Sequence, residues 1–519
     1  MTKQFAARRV GSAGTVPAGA ALEAAMIPSG CRVGVDPLPR VYTIENNDEA
    51  YHIWRAAQVA DRILVHIDAH PDLDWSDDDE PVSITSFISR GIAQGLVREL
   101  FWIIPDPTWQ DARCRKVLIR YMQEVLGHYP GRHPAPQVNG SEVTLQALKT
   151  RIRIRPLRAF PQLEEPVLLD LDTDFLLIPR LPDEEGRAPS TLPWCWPDAL
   201  ITCLKTHQLR AEIITVAYSV EGGLTPLRWK YLGDELASRI RQPMEASANP
   251  AWALHRRAAV AQAAGLLEEA ERALTRVLAL DPQNASAYFR LAHLHAERGQ
   301  AHQARTCYRQ AMAEDLSYGI ADSSEALAYL AHGDLDRAEA GSLRTLACNP
   351  DDACAHYALG AIAAARRRWT VALEHLHHAI HLQSHFLDAH RALAAALEGA
   401  RRLPEAIAAY ERALRLGCSP AFTLSDKFIT SRAPITHRVD RRHFEIYRRL
   451  ARLYARQGRL QDAVTSYRIW LASVQGGGFL DRLQLVGMYA RQFRLKEALA
   501  TIRAAMAPNA SRPMNERLG

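Results

Sequence analysis

A spacing of 34 residues runs through the second half of this chain and constrains its fold more than any other feature. Each period carries an alanine five residues after a glycine or an arginine. So regular a pattern predicts a stack of similar helical hairpins, because each hairpin buries its apolar face only against its neighbours. The alanines are Ala270, Ala304, Ala338, Ala372 and Ala406, and the residues that precede them are Gly265, Gly299, Gly333, Arg367 and Arg401.

The same phase resumes after an interruption. Ala463 stands 57 residues after Ala406, which equals one period plus an insertion of 23 residues. We place the insertion near 418–440, and Ala498 follows 35 residues after Ala463. This pattern is typical of tetratricopeptide repeats, of which we expect about seven over 250–507. Stacked repeats of this kind form a superhelix whose concave groove usually binds peptides or other proteins.

Composition indicates a globular protein of two or more domains. The chain has 519 residues, of which 48% are hydrophobic and 23% charged. A formal net charge of +5 is small for this length, so we expect no nucleic-acid partner. The eight cysteines form no CxxC pair, which favours reduced thiols and a cytoplasmic location. No apolar run is long enough for a membrane span, so we expect no membrane partner, and 1–34 and 508–519 are predicted to be flexible tails.

Residues 35–245 alternate between strand-like apolar runs and helix-like segments. This alternation predicts a three-layer α/β domain with a mostly parallel sheet. Residues 127–140 are rich in proline and glycine and are predicted to form a loop, while 141–157 remain ambiguous. The predicted strands are 41–45, 63–68, 100–104, 167–172 and 213–219, and the predicted helices are 48–61, 83–96, 109–126, 194–207 and 226–241.

The segment 63–75, ILVHIDAHPDLDW, begins as a buried strand and ends in a cluster of polar side chains. Pro71 cannot continue a central strand, so the strand should end near Asp68. His70 and Asp72 then lie on the loop at the carboxyl end of the strand, which is the edge where open parallel sheets bind ligands. Burial of these carboxylates and this imidazole is costly unless they are paired or hold a metal.

The segment 165–177, EPVLLDLDTDFLL, supplies a second acidic set. Asp170, Asp172 and Asp174 alternate with other residues, so a strand would place all three carboxylates on one face. Like charges so close repel and raise one another's pKa, and one or two divalent cations would remove that repulsion. An oxygen-rich set with one or two imidazoles suits Mn or Mg better than Zn.

These two acidic motifs resemble the metal motifs of the arginase and deacetylase superfamily, Asp-Ala-His-x-Asp and Asp-x-Asp. Residues 41–236 more closely resemble an arginase-like family whose characterised members are peptide arginases. Such enzymes convert arginine residues of ribosomally synthesised precursor peptides into ornithine residues and urea. The resemblance therefore implies an arginase-like hydrolase domain over 35–245 with two Mn²⁺ ions per chain. The segments that carry it are IENNDEAYHIW, HIDAHPDL, FWIIPDPTW, LDLDTDF and SVEGGLTPLRWKYL.

The resemblance also implies metal ligands, residue by residue. Asp68 and Asp170 would bridge the two ions. His70 and Asp172 would complete the ligands of one ion, and Asp72 would bind the other. In arginases that other ion also takes a histidine from an upstream loop.

Asn47 occupies the position of that histidine, and its amide oxygen would be a weaker ligand. Asn47 is equally consistent with the N-cap of a helix, and His52, about one turn away, is a possible substitute ligand. Glu221 follows the last predicted strand and would bind the guanidinium group, although it also suits an ordinary turn. Asp174 would be a third ligand or a nearby base. His66 is the nearest candidate for a proton shuttle, with a buried core histidine as the alternative.

Together these features predict a manganese-dependent peptide arginase whose repeat domain binds the leader and core of a precursor peptide or another protein. Two alternatives stay open. The same pair of metals could hydrolyse a small guanidino compound or an acylated amine. The domain could also be catalytically inactive, in which case the repeats act as a scaffold.

Overall fold

The structure is a computed structural model of the chain. It describes residues 39–76, 82–131, 133–179, 192–220, 225–320, 322–417, 441–473, 479–491, 496–498 and 501. The predictions for the tails at 1–34 and 508–519, for the insertion at 418–440 and for Glu221 lie outside these residues.

A single sheet of eight strands organises the first part of the described chain. The strands are β1 (Arg40–Ile44), β2 (Arg62–Ile67), β3 (Val97–Ile104), β4 (Gln137–Asn139), β5 (Glu142–Ala147), β6 (Thr150–Pro156), β7 (Val167–Asp172) and β8 (Ala211–Ala217). Their order across the sheet is β1-β8-β7-β2-β3-β6-β5-β4. All pairings from β1 to β6 are parallel, and the β6-β5 and β5-β4 pairings are antiparallel. The predicted α/β class with a mostly parallel sheet is confirmed.

Helices cover both faces of the sheet, because alternate residues of its central strands point into two separate hydrophobic clusters. Leu64 of β2 lies in a cluster with Trp54 and Leu118, whereas the adjacent Val65 lies in a cluster with Leu200 and Leu236. Three layers result. The helices of this region are α1 (Asp48–Ala56), α2 (Phe87–Ala93), α3 (Asp106–Gln110), α4 (Ala112–Leu126), α5 (Pro197–Thr206) and α6 (Tyr231–Arg241).

Several predicted element boundaries were wrong. The helix expected over 109–126 is interrupted at Asp111, which adopts an extended conformation and accepts hydrogen bonds from the backbone N–H groups of Arg113 and Cys114. A carboxylate in that position begins a new helix. The predicted loop 127–140 contains the edge strand β4, and the ambiguous segment 141–157 forms β5 and β6.

The rest of the described chain is helical, and consecutive helices pair as hairpins, which confirms the predicted all-α repeat superhelix. Among the described residues no helix combines the length and apolar character needed to cross a membrane. The helices are α7 (Pro243–Ala248), α8 (Pro250–Ala263), α9 (Leu267–Leu280), α10 (Ala285–Glu297), α11 (Ala301–Glu314), α12 (Ser317–Ile320), α13 (Ser324–Ala331), α14 (Leu335–Cys348), α15 (Ala353–Ala365), α16 (Trp369–Leu382), α17 (Leu387–Gly399), α18 (Leu403–Gly417), α19 (Arg441–Arg456), α20 (Leu460–Ser473) and α21 (Phe479–Arg491).

The residues that mark the 34-residue period have a common structural role. The periodic alanines are fully buried where helices touch, for example Ala270 and Ala372. The residue five positions earlier ends the preceding helix with a positive φ, which glycine adopts without strain. Arg367 and Arg401 keep that geometry, with φ values of 58° and 63°.

Contacts between side chains join the sheet region to the first repeats. Arg228 donates to both carboxylate oxygens of Glu325, at 3.0 and 2.9 Å. Lys230 donates to Asp315. The ring of His255 stacks on Tyr231, with centroids 4.6 Å apart. The repeats therefore begin at a defined position against the sheet region.

Candidate metal centre

The two acidic motifs meet at the carboxyl ends of β2 and β7, which are neighbours in the middle of the sheet. The strands pair in register, with His66 opposite Asp170. Two residues further on, Asp68 therefore comes opposite Asp172. The side chains of the two carboxylates and His66 are almost completely buried.

Asp68 lies at the centre of the site and is held by backbone and ring donors. Its Oδ1 accepts a hydrogen bond from the backbone N–H of His70 at 2.7 Å. Its backbone carbonyl accepts one from the indole of Trp102 at 2.9 Å. Of its two carboxylate oxygens, Oδ1 lies 3.4 Å from the ring of His70 and Oδ2 lies 3.4 Å from the ring of His66, so one oxygen faces each of two groups of potential ligands.

The first group consists of Asp68, His70 and Asp174, whose ligand atoms lie within 4.8 Å of one another. His70 Nδ1 lies 2.8 Å from Asp174 Oδ2 but is not aligned for a hydrogen bond. Both oxygens of Asp174 are buried and receive no hydrogen bond. Buried carboxylate oxygens without donors are rare and costly, unless a cation lies between the groups.

The second group consists of His66, Asp68 and Asp72 and obeys the same distance limit. His66 Nε2 lies 3.1 Å from the backbone carbonyl of His70, 3.4 Å from Asp68 Oδ2 and 3.9 Å from Asp72 Oδ2. Asp72 has a φ of 48°, a conformation that costs on the order of 1–3 kcal/mol and is common at functional sites. Because Asp68 offers one oxygen to each group, it is placed to bridge two ions.

Asp170 lies outside both groups. Its Oδ2 is 2.9 Å from His66 Nδ1, and its Oδ1 accepts a hydrogen bond from Thr215. A carboxylate on the far nitrogen of a histidine orients the ring and fixes its tautomer. In this arrangement Asp170 orients His66 and has no free oxygen directed at the ligand groups. Its predicted role as a bridging ligand remains a prediction.

Asp172 and Asp174 do not share one strand face, contrary to the strand expected through all three aspartates. β7 ends at Asp172, whose Oδ1 accepts from the backbone N–H of Asp174 at 2.8 Å and so starts a short 3-10 turn. That turn carries Asp174 toward His70. The other oxygen of Asp172 accepts from Ser219 at 2.6 Å.

Asn47 fills the space between three carboxylates. Its amide nitrogen Nδ2 lies 3.0 Å from Asp68, 3.0 Å from Asp72 and 2.8 Å from Asp172. The amide oxygen is buried and has no hydrogen-bond partner. Asn47 directly precedes α1, but its side chain does not cap that helix. His52, the suggested substitute ligand, is exposed on α1.

Burial and mutual repulsion raise the pKa values of three aspartates of the site. Burial, with the charges of nearby aspartates, holds the pKa of Asp68 and of Asp172 well above the usual range. Burial raises the pKa of Asp72 to about 6, against the opposing effects of His66 and His70. Burial would lower the pKa of both histidines, but the adjacent carboxylates raise it. Without a cation, the cluster therefore binds protons more readily than free aspartates and histidines do, because its carboxylates are unfavourable side by side in their charged form.

A cavity of about 190 Å³ opens onto the site. Its lining includes Asn47, His70 and Asp72, together with Thr85 and the partly exposed Tyr121. A substrate group can therefore approach His70 and Asp72 from solvent. The described residues supply carboxylate, imidazole and amide donors, which fit a hard divalent cation such as Mn²⁺ or Mg²⁺. Neither the identity nor the number of ions follows from the geometry.

Glu221 lies outside the described residues, but the residues on each side of its loop are at the site. Ser219, which has a φ of 52°, donates to Asp172. The backbone N–H of Thr225 donates to the carbonyl of Ser219 at 3.0 Å, so the ends of the loop are held together. Val220 is bonded through its N–H to Glu45. The predicted role of Glu221 stays a prediction.

Comparisons with known proteins match the helical region. Family models described as tetratricopeptide repeat match residues 261–319 and 436–477, so the chain contains tetratricopeptide repeats as predicted. No match to the chain was found among curated proteins. The likeness of residues 41–236 to arginases therefore rests on the five sequence segments given above and remains a prediction.

Three solved structures illustrate the likeness of the repeats. YrrB, titled a TPR protein with an unusual peptide-binding site, is 16% identical over 38% of this chain and 91% of its own, with a TM-score of 0.25. The pilF protein of Pseudomonas aeruginosa is 18% identical over 43% and 88%, with a TM-score of 0.28. A thermophilic TPR protein of Thermus thermophilus is 18% identical over 40% and 99%, with a TM-score of 0.25. These likenesses concern fold alone.

Sequence reasoning missed two residues that shape the site. Thr215 lies on β8 opposite Asp170, and Ser219 follows the same strand. Both residues carry a hydroxyl group and lie near the carboxyl end of β8, beside the strand β7 that carries the aspartates. A hydroxyl residue in that position was the sequence signal that could have identified them. Their hydrogen bonds fix the orientation of Asp170 and Asp172.

Proposed function

We propose that the chain is a divalent-metal-dependent hydrolase that removes urea from arginine side chains of a polypeptide held by its repeats. The observation that carries the proposal is the pair of buried ligand groups sharing Asp68, with no aligned hydrogen bond to either oxygen of Asp174 although the ring of His70 lies 2.8 Å from one of them. Residues that only stabilise a fold satisfy their buried oxygens. Mn²⁺ is the ion that we propose, in accord with the donor set and the resemblance to arginases.

Bound divalent cations would lower the pKa of a water molecule so that it can attack a guanidinium carbon at neutral pH. The side chains of the chain prepare the place for this. His66 presents Nε2 to Asp68 and Asp72 while Asp170 fixes its Nδ1. His70 lies at the cavity, where its Nδ1 and the carboxylate of Asp174 would together hold an ion.

The substrate cation needs an acceptor that is not already used by the ions. A guanidinium binds a carboxylate through two parallel hydrogen bonds, and Glu221 is the proposed partner for that contact. Asp74 and Tyr121 line the entrance of the cavity, and the charge of Asp74 favours a cationic side chain there. The entrance is open to solvent, so a side chain on a long polypeptide can enter.

The repeats would supply the affinity for the polypeptide. The ion pairs from Arg228 to Glu325 and from Lys230 to Asp315 hold the first repeats against the sheet region. A polypeptide bound there stays close to the metal centre, and tethering of this kind commonly gives effective concentrations in the millimolar range. The catalytic pocket then needs little affinity of its own.

Mass spectrometry of synthetic peptides tests this proposal. Each peptide carries one arginine, and incubation with Mn-loaded protein should convert it to ornithine with loss of CN₂H₂ and release of urea. Asp72→Asn should abolish the conversion. Asp61→Asn, which makes the same change at an exposed position outside the cluster, should keep it. Conversion of free arginine and agmatine, with none of the peptides, would instead favour hydrolysis of small guanidino compounds.

One observation favours the second candidate, an inactive domain that carries a repeat scaffold. The amide nitrogen of Asn47 already contacts three carboxylates, much as a cation would. Metal analysis after incubation with Mn²⁺ decides between them. Less than one ion per chain would support the scaffold and refute the hydrolase.

A further inference from the structure

A second cavity, of about 240 Å³, lies between the sheet region and the first repeats. One wall is formed by Leu227 and Trp229, which precede α6, and the others come from α8, α10, α13 and α14. It is separate from the cavity at the metal centre, with which it shares no lining residue. Its walls hold several charged groups, and their pairing shows what ligand the cavity suits.

Arg290 is a buried cation without a carboxylate partner among the described residues. It is 3% exposed, and its Nη1 donates to the carbonyl of His255 at 3.1 Å and lies 3.2 Å from the ring nitrogen Nδ1. Its guanidinium also lies over the ring of Tyr231 at 5.2 Å. A guanidinium does not lose its proton in proteins, so its burial without an anion is costly. Burial lowers the pKa of Arg290, which shows the same penalty.

Two further donors line the cavity without a partner. The indole Nε1 of Trp229 is buried and makes no hydrogen bond, although Trp229 is only 3% exposed. Arg344 is half-buried, and no ion pair to it occurs in the part of the chain that the structure describes. A buried N–H group is normally bonded, so these positions call for an acceptor.

The acidic groups of the cavity are largely accounted for. Glu325 is neutralised by Arg228. Asp322 has one oxygen 3.2 Å from His293, while its other oxygen is buried and has no partner. The third acidic residue of the lining, Glu297, is exposed to solvent. Arg290 and Arg344 thus have no carboxylate partner among the described residues, and the indole Nε1 of Trp229 and the ring Nε2 of His293 have no hydrogen-bond partner. These groups suit an anion, and the remaining oxygen of Asp322 suits an N–H donor.

We propose that this cavity binds a carboxylate group of a polypeptide, with Arg290, Arg344 and the indole of Trp229 as its donors. A carboxylate accepts hydrogen bonds from guanidinium groups in pairs. A neighbouring backbone N–H of the same polypeptide would donate to Asp322. Phe289 and Leu227 provide an apolar surface for an adjacent side chain.

This inference deepens the proposed function, because it names the chemistry by which the repeats would recognise a polypeptide. It requires neither metal nor turnover, so it is tested on the full-length chain after treatment with EDTA. Failure of the binding test therefore leaves the hydrolase proposal standing, and failure of the hydrolase test leaves this one standing.

The experiment measures fluorescence anisotropy with three labelled pools of random hexapeptides. The first has a free terminal carboxylate and lacks Asp and Glu, the second is the same pool amidated, and the third is amidated but contains Asp and Glu. We expect the first or third pool to bind and the second to bind at least about tenfold more weakly, the effect of losing one charged hydrogen bond. The pool that binds distinguishes a terminal carboxylate from an acidic side chain.

Variants locate the binding. Arg344→Gln should weaken binding about tenfold, since it removes one charged donor and no contact within the fold. Arg337→Gln, on the exposed side of the same helix, is the matched control and should bind like the parent. Arg290→Lys keeps the charge of the buried group, and an unchanged circular dichroism spectrum will show that the variant is folded. The folded variant should also bind the peptides more weakly. Equal binding of all pools, no binding of any pool, or full binding by Arg344→Gln would each overturn the proposal.

Discussion

The amide of Asn47 makes a sharp prediction about the metal centre, because an amide presents either two protons or a lone-pair oxygen to its neighbours. Three carboxylates face its nitrogen at 2.8 to 3.0 Å. With a cation among those carboxylates, the amide of Asn47 would instead be more stable with its oxygen facing the ion. Asn47→Asp removes the protons and retains an oxygen ligand of almost the same shape. The substitution should therefore act in opposite directions with and without metal.

In the metal-free protein Asn47→Asp should be destabilising. A hydrogen bond to a charged group contributes about 1.5–3 kcal/mol, and the two protons of the amide can serve two of the three carboxylates fully. Their loss amounts to roughly 3–6 kcal/mol, and the new buried carboxylate adds repulsion. Part of this is relieved when one of the acids binds a proton, so the lower end of the range is expected.

In the metal-loaded protein the sign should reverse. A carboxylate is a stronger ligand for a hard cation than an amide oxygen, and its charge offsets that of the ion. Binding stabilises the folded state by RT ln(1 + [L]/Kd), so a hundredfold gain in affinity adds about 2.7 kcal/mol at saturating metal. The increase in thermal midpoint that Mn²⁺ produces should thus be larger in Asn47→Asp than in the parent.

Thermal melts in EDTA and in excess MnCl₂ measure both effects, and titration calorimetry gives the affinity and stoichiometry. Asn47→Leu is one control, because it removes donor and ligand and should lower the midpoint in both conditions. Asn46→Asp is the other, since Asn46 is equally buried but its side chain has no hydrogen bond to the carboxylates. A parent protein with no Mn-dependent shift, or an equal shift in the parent and Asn47→Asp, would refute the reasoning.

Three other predictions concern separate parts of the molecule. Asp68→Asn should lower bound Mn below that of the parent, because it replaces one ligand oxygen by an NH₂ group and removes the negative charge that both ligand groups share. Asp170→Asn should only weaken affinity about 10–100-fold through the orientation of a histidine, as metal titration will show. Burial lowers the pKa of His255 to about 3, so below pH 6.5 the unfolded chain binds a proton there that the folded protein does not. The free energy of unfolding should therefore fall as pH drops below 6.5, by about 2 kcal/mol at pH 5, and urea melts of a His255→Gln variant should lack that loss. Arg367→Gly should raise the free energy of unfolding measured in urea by about 1 kcal/mol, because Arg367 has a φ of 58°. The control Arg305→Gly makes the same change at an exposed residue with negative φ and should lower the free energy of unfolding.

The repeat region was predictable because one physical requirement recurs along it. Helices pack closely at Ala270 and its periodic equivalents only if the side chain is small, and the residue that ends each preceding helix needs a positive φ. Arg367 shows that the period survives where glycine is replaced, so spacing was a better guide than residue type. Segment 127–140 was less legible, because the edge strand β4 has only three residues and all of them are exposed. In 141–157, by contrast, β5 and β6 alternate between buried and more exposed positions, so the strand signal was present there.

The chemistry of the metal centre was predictable from the sequence, but the division of roles among its aspartates was not. Alternation along a strand predicts that Asp170, Asp172 and Asp174 share one face, and the ligand roles of Asp170 and Asp172 came from the resemblance to arginases. In the structure β7 ends at Asp172, and the following turn brings Asp174 to His70. Where a strand ends and how it pairs depend on the whole sheet, so local alternation could not show that Asp174 alone of the three joins a ligand group.

The strain and charge of the site point to the same conclusion. Asp72 and Ser219 both adopt positive φ values although neither is glycine, and each contacts the acidic cluster. Five buried aspartates gather around two histidines and one amide, an arrangement that raises several of their pKa values. A fold selected only for stability would replace such groups by apolar ones at little loss. The arrangement becomes favourable once positive charge enters between Asp68, His70 and Asp174, which is why titration with a divalent cation is the first measurement to make on this protein.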